Sequence, residues 1–129
     1  MTEHRLRFLI AFTSGLLGAA GVALSAVAAH RVSSASLETA AMMLMVHAGA
    51  GLAIASLSAN ARKPRLFAAA GALMLVAVSL FSGDIALNTL AGFHLFPMAA
   101  PVGGSTLIVS WITVALLAAI EATGARREP

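Results

Sequence analysis

The 129-residue chain has no cysteine and no tyrosine, and only 10% of it is charged. Without cysteine there is no disulfide, no thiolate nucleophile, no iron–sulfur cluster and no cysteine zinc site. The apolar content is too high for an intrinsically disordered chain, which needs low hydrophobicity and high net charge. An average soluble domain is about 45–50% apolar and about 25% charged. Here the apolar share is 60% and the mean hydropathy is +0.94. Small domains bury the least of their surface, so a soluble core of this size cannot hide that excess. The composition leaves an integral membrane protein of a single domain, residues 1–129.

Crossing about 30 Å of hydrocarbon takes about 20 apolar residues at 1.5 Å each. Four runs approach or reach that length, at about 8–29, 37–59, 66–90 and 104–121. They predict an all-α protein: a four-helix transmembrane bundle, antiparallel and up-down. The last run is the shortest and is expected to sit with least tilt. The first two links, His30 to Ser36 and Asn60 to Arg65, are short enough to join antiparallel neighbours. Ser34 or Ser36 suits a helix cap, and Pro64 suits a helix start. The third link, Ala91 to Gly103, is longer and apolar. Its Pro97 and Pro101, with the Gly103-Gly104 pair beyond, argue against a helix there and for a loop in the membrane interface.

A calculated pI of 11.2 invites a nucleic-acid reading. The basic residues are not gathered in one patch, however; they punctuate the apolar runs, so no nucleic acid is expected. Arg5 and Arg7, then Arg62, Lys63 and Arg65, then Arg126 and Arg127 all fall on one side of four crossings, leaving Arg31 alone on the other. The positive-inside rule then puts both termini in the cytoplasm of a bacterial cell, the protein being a multi-pass chain of its inner membrane; an organellar inner membrane would give the same pattern relative to its matrix. Arg5 and Arg7 followed by an apolar stretch and Ala26-Val27-Ala28 also resemble a signal peptide. The stretch of about 22 residues exceeds the usual 7–15 of such a segment, so a retained first helix is expected.

Lipid tails are as apolar as leucine, so helices in a bilayer associate through close packing and polar contacts. The first run offers Gly15, Gly18, Gly21, Ser25 and Ala29. The second offers Gly49 and Ala53, and Gly51, Ala55 and Ala59, at four-residue spacing. These smooth faces are expected to meet each other or a second subunit.

His47 lies about ten residues inside the second run, about 15 Å deep. It shares a helical face with Ala40, Met43, Gly51 and Ile54. An ionisable residue at that depth is a functional candidate by default. Its structural role would be that of a neutral imidazole bonded to a hydroxyl or backbone carbonyl of a neighbouring helix. Asp84 and Asn88 are four apart and share a face if the third helix continues that far. His30, Arg31, Glu38 and His94 are expected at the same end as Asp84, as an outer-side cluster in which Asp84 pairs with Arg31 or a histidine. Met42, Met43, Met45, Met74 and Met98, with three histidines, suit a soft metal such as copper(I). The first three point in different directions on a helix, and methionine is common gap filler in membrane cores. No metal or other cofactor is therefore expected. A phosphate-binding glycine loop, an HExxH run, paired carboxylates and a triad order are all lacking, so no enzymatic activity is expected.

Four stretches resemble the YgdD-like family, an uncharacterised domain family (number 423) with transmembrane-256-like eukaryotic relatives. They are Gly21 to His30, ending Ala28-Ala29-His30; Glu38-Thr39-Ala40 followed by His47-Ala48; Leu80-Phe81-Ser82-Gly83; and Pro101-Val102-Gly103-Gly104 followed by Trp111. The resemblance implies a small four-helix inner-membrane protein without an established activity. The chain departs from the pattern where Asp84-Ile85-Ala86 replaces the family's Ser-Leu-Tyr, and where the tyrosine before the second-helix histidine is missing.

The leading expectation is a non-enzymatic accessory or scaffold protein that packs with itself, as a homo-oligomer, or with a larger membrane complex. The alternative is a small transporter or proton/ion pathway using His47 and Asp84. A third reading, heme or copper held by His47 and the methionines, is open to absorbance or metal analysis of the purified protein.

Overall fold

Local capping decides where each helix begins. In the computed structural model, which describes residues 1–124, the Thr2 hydroxyl accepts from the Arg5 amide at 3.4 Å and opens α1, Glu3–His30. Glu3 in the first turn suits the positive end of the helix dipole. The Ser34 hydroxyl accepts from the Leu37 amide at 3.3 Å and opens α2, Ala35–Leu57. Pro64 opens α3, Pro64–Ala91, where its missing N–H costs nothing. Gly92 ends α3 in the left-handed region at φ 76°, its amide bonded to the Asn88 carbonyl at 3.1 Å. Arg126 and Arg127, part of the charge pattern, lie outside the described residues.

The last helix corrects the sequence reading. α4 runs Ala99–Gly124, so Pro101, Gly103 and Gly104 are helical and the third link shrinks to residues 92–98. Pro101 is tolerated because it stands in the first turn, where backbone N–H groups have no intrahelical acceptor. The Val102 amide makes the first helical bond, to the Met98 carbonyl at 3.0 Å. At 26 residues α4 is longer than α2, at 23, and is not the shortest helix. All four helices are long and apolar enough to cross a membrane.

The contacts run antiparallel. Gly21 faces Ala41, Leu44 and Met45, Gly18 faces Ala48, and Ser14 faces Gly51. Gly71 faces Ile54 on the α2–α3 seam, and Gly103 faces Ala77 and Phe81 on the α3–α4 seam. α2 and α3 form the centre of the bundle. Leu44, Ile54, Phe67, Met74, Ala77, Val78 and Leu107 make one buried cluster around them. α1 packs on α2 and also touches α3; α4 packs on α3, and its backbone approaches neither α1 nor α2. The result is a row of helices that does not close on itself. The most apolar stretch is 17% buried in α1 and 22% in α4, against 44% and 50% in α2 and α3.

The glycine faces are used selectively. A Cβ at Gly21 would come within 3.0 Å of the Ala41 carbonyl oxygen, whereas one at Gly15 or Gly49 would meet nothing within 4 Å. Ser25 and Ala29 are exposed, so the buried line on α1 is Ile10, Ser14, Gly21 and Ala28 instead of Gly21, Ser25 and Ala29. Gly21→Leu is expected to lower stability in detergent by about 1–3 kcal/mol through overpacking. Gly15→Leu should leave it unchanged or raise it by the gain in helix propensity, up to about 0.8 kcal/mol. Thermal unfolding of the two variants side by side checks the difference.

Candidate functional site

Two ionisable side chains are buried inside the spans, and each is satisfied by its own neighbours. His47 is buried on the inner face of α2. Its Nδ1 is 2.7 Å from the Met43 carbonyl oxygen, one turn earlier on its own helix. The indole Nε1–H of Trp111 on α4 donates to His47 Nε2 at 3.2 Å, with the rings edge to face at 6.0 Å. These partners fix the tautomer. Nε2 accepts from the indole, so the proton sits on Nδ1 and is donated to Met43. Both ring nitrogens are thereby occupied in the neutral imidazole, and neither is left for a metal. The carbonyl belongs to the helix of His47 itself, and the partner on a neighbouring helix is an indole.

Trp111 was legible only as a motif residue. Its seat opposite His47 follows from the α3–α4 register. Gly103 lets α4 come so close to α3 at Ala77 and Phe81 that the indole reaches past α3 to α2.

Asp84 is 1% exposed near the far end of α3. The link 92–98 folds back over it. The Leu95 amide donates to Oδ1 at 2.8 Å, and His94 Nδ1 donates to Oδ2 at 2.9 Å. The Ala100 amide, in the first turn of α4, faces the same carboxylate. A carboxylate there also sits at the positive end of the α4 dipole. The link is therefore held down by its own backbone and by one side chain. Met98, the one non-glycine residue with positive φ (69°) among those described, is carried within it.

The expected outer-side cluster is only partly assembled. His94 joins Asp84 as the histidine partner, but Arg31 does not. His30, Arg31 and Glu38 are exposed and make no ion pair among the described residues. The reason is that α1 turns into α2 within four residues at the surface, while Asp84 is covered by the later link. α3 does continue through Asn88, yet the Asn88 side chain is exposed and takes no part in the carboxylate's bonds. Among the described residues no three histidine, aspartate or glutamate side chains come together as a metal site.

His47 and Asp84 do not form one site. The α2–α3 pairing of Gly51 with Leu75 and of Ile54 with Gly71 sets His47 opposite residues 78–79. Asp84 is then about 8 Å further along α3. Two buried hydroxyls, Ser14 and Ser82, have no hydrogen-bond partner among the described residues. Ser82 stands out in the sequence only as a motif residue and Ser14 not at all, because serine is nearly neutral in hydropathy. The clefts at the rim near Arg7 and Arg62 and along the α1–α3 seam are lined without His47 or Asp84.

A family model described as a protein of unknown function (DUF423) matches residues 17–104, in line with the resemblance of the four stretches. The match takes in His47, Asp84, His94 and Gly103 and stops short of Trp111. No solved structure matches the chain.

Proposed function

Since the chain belongs to the DUF423 family, whose model covers all of α2 and α3, we propose that it is a non-enzymatic accessory protein of a bacterial inner membrane. Both termini face the cytoplasm, and it works by packing against copies of itself or against a larger membrane complex. The observation that carries this reading is the pair of uncovered flanks. α1 and α4 never meet, and each leaves most of its apolar surface outside the bundle. Gly15 and Gly49 sit uncovered on α1 and α2, and smooth glycine positions are where another helix can approach closely. The polar groups inside the spans favour the same reading. His47 and Asp84 spend their hydrogen bonds within the chain, about 8 Å apart along the axis. A proton or ion pathway needs groups that exchange partners with the cargo, and these are tied to fixed ones.

Extraction of the tagged protein from native membranes in a mild detergent tests the proposal. The expected result is a species larger than one chain, with Gly15→Leu or Gly49→Leu reducing its size while the monomer stays folded. Recovery only as a lone monomer, unchanged by either substitution, overturns it.

A further inference from the structure

The rim at the start of α1 carries two clefts that the packing described above leaves free. One, of about 470 Å³, lies between α1 and α2, with Arg7 at its polar end and Ala11, Leu52 and Ala55 along its walls. The other, of about 700 Å³, has Arg5 at its polar end and Met1 and Leu9 along its walls. His4 and Phe8 line both, so together they form the partition between the two. Their rings lie 4.7 Å apart, and Phe8 is 63% exposed. Each cleft thus has one guanidinium and an apolar floor, and among the described residues no carboxylate lines either. Glu3, the acid nearest in sequence, is engaged by Arg65 at 3.4 Å. The contrast with the cleft beside Arg62 and Lys63 is direct. There Glu121 forms part of the wall and accepts from the Lys63 amide at 3.2 Å.

Depth supports a lipid occupant. α1 has 28 residues, about 42 Å at 1.5 Å each, against about 30 Å of hydrocarbon. Its first turns therefore reach the headgroup layer while Phe8 and the residues after it enter the acyl layer. Basic pockets at this level, open to the lipid, are suited to anionic headgroups. A free phosphate would use the arginines but would leave the apolar walls unfilled.

We propose that this rim is a binding site for a diacyl phospholipid with an anionic headgroup. Its phosphate sits among His4, Arg5 and Arg7, and its two chains lie on either side of Phe8. The proposal rests on the helices lying in a bilayer and not on the accessory role, so the two stand or fall separately.

Native mass spectrometry of the full chain, released from micelles containing equal phosphatidylglycerol and phosphatidylcholine, tests it. The wild type should retain phosphatidylglycerol in preference. Arg5→Gln and Arg7→Gln should each lower that preference about five-fold, the equivalent of about 1 kcal/mol per cation near a membrane surface. Arg7→Lys should keep most of it, and Phe8→Ala should lower retention of both lipids. The pair Arg62→Gln and Lys63→Gln should change nothing. Equal retention of the two lipids by the wild type, or an unchanged preference in the Arg5→Gln, Arg7→Gln double variant, overturns the proposal. So does displacement of the lipid by excess inorganic phosphate or by a polyglutamate peptide, which would mark a simple anion or acidic-peptide site.

Discussion

Gly103→Ala is expected to part α4 from α3 and to cost about 1–3 kcal/mol, the usual penalty for forcing atoms into a filled site. A Cβ at this position would come within 2.7 Å of the Phe81 amide nitrogen and 2.8 Å of the Ala77 carbonyl oxygen. Both are backbone atoms of a buried helix and have no rotamer by which to yield. The neighbouring glycine provides the control. A Cβ at Gly104 would meet only the Phe81 ring, at 3.5 Å, so Gly104→Ala should be nearly neutral. The effect at Gly103 should propagate. If α4 moves outward, the Trp111 indole loses His47, a bond worth about 0.6 kcal/mol on average between membrane helices. The chain has a single tryptophan, so its fluorescence reports this one contact. Gly103→Ala should shift the emission and lower the unfolding temperature in detergent, while Gly104→Ala does neither. Equal behaviour of the two variants would show that the close approach of α3 and α4 is not needed.

The second large effect is expected at Asp84. Asp84→Ala removes the acceptor for the Leu95 amide and for His94 at once. Hydrogen bonds to an ionised group contribute about 1.5–3 kcal/mol each. The His94 side chain is 58% exposed and can turn to water, so its share is discounted. A loss of roughly 2–3 kcal/mol remains, concentrated in the link 92–98. Hydrogen exchange at Leu95 should rise at least about ten-fold, and a protease should cut the link more readily. Asp84→Asn keeps one carbonyl oxygen for the Leu95 amide and should fall between. His94→Ala should have the smallest effect of the three. If exchange at residues 93–96 is the same in Asp84→Ala as in the wild type, the carboxylate does not hold the link.

What was legible in the sequence follows the physics of each feature. A membrane span is a property of about twenty consecutive residues, so four crossings could be read from apolar runs alone. The caps at Ser34 and Pro64 were readable because they act over three or four residues. The start of α4 was not. Pro101 and Gly103-Gly104 look like breakers in the sequence, yet a proline in the first turn breaks nothing, and Gly103 serves the seam with α3 instead of a bend. The candidate site divides in the same way. That His47 is buried, and that Asp84 pairs with a histidine, could be argued from position and charge. That Trp111 reaches His47, and that the Leu95 amide reaches Asp84, could not, since each depends on a register between helices or on the path of a loop. Arg31 and Glu38 share an end of the bundle with Asp84, but sharing an end does not bring side chains into contact.

The open row of helices has a consequence for how the chain is made. α1 and α2 come off the ribosome first and already contain their own seam, from Ser14 opposite Gly51 to Gly21 opposite Ala41. α3 then docks on a finished hairpin, and α4 leans on the helix released just before it. Each helix after the first docks on the one before it, and the α1–α3 contact and the Trp111–His47 bond are added as α3 and α4 arrive, so the protein can be assembled in the order of its synthesis, one rod at a time.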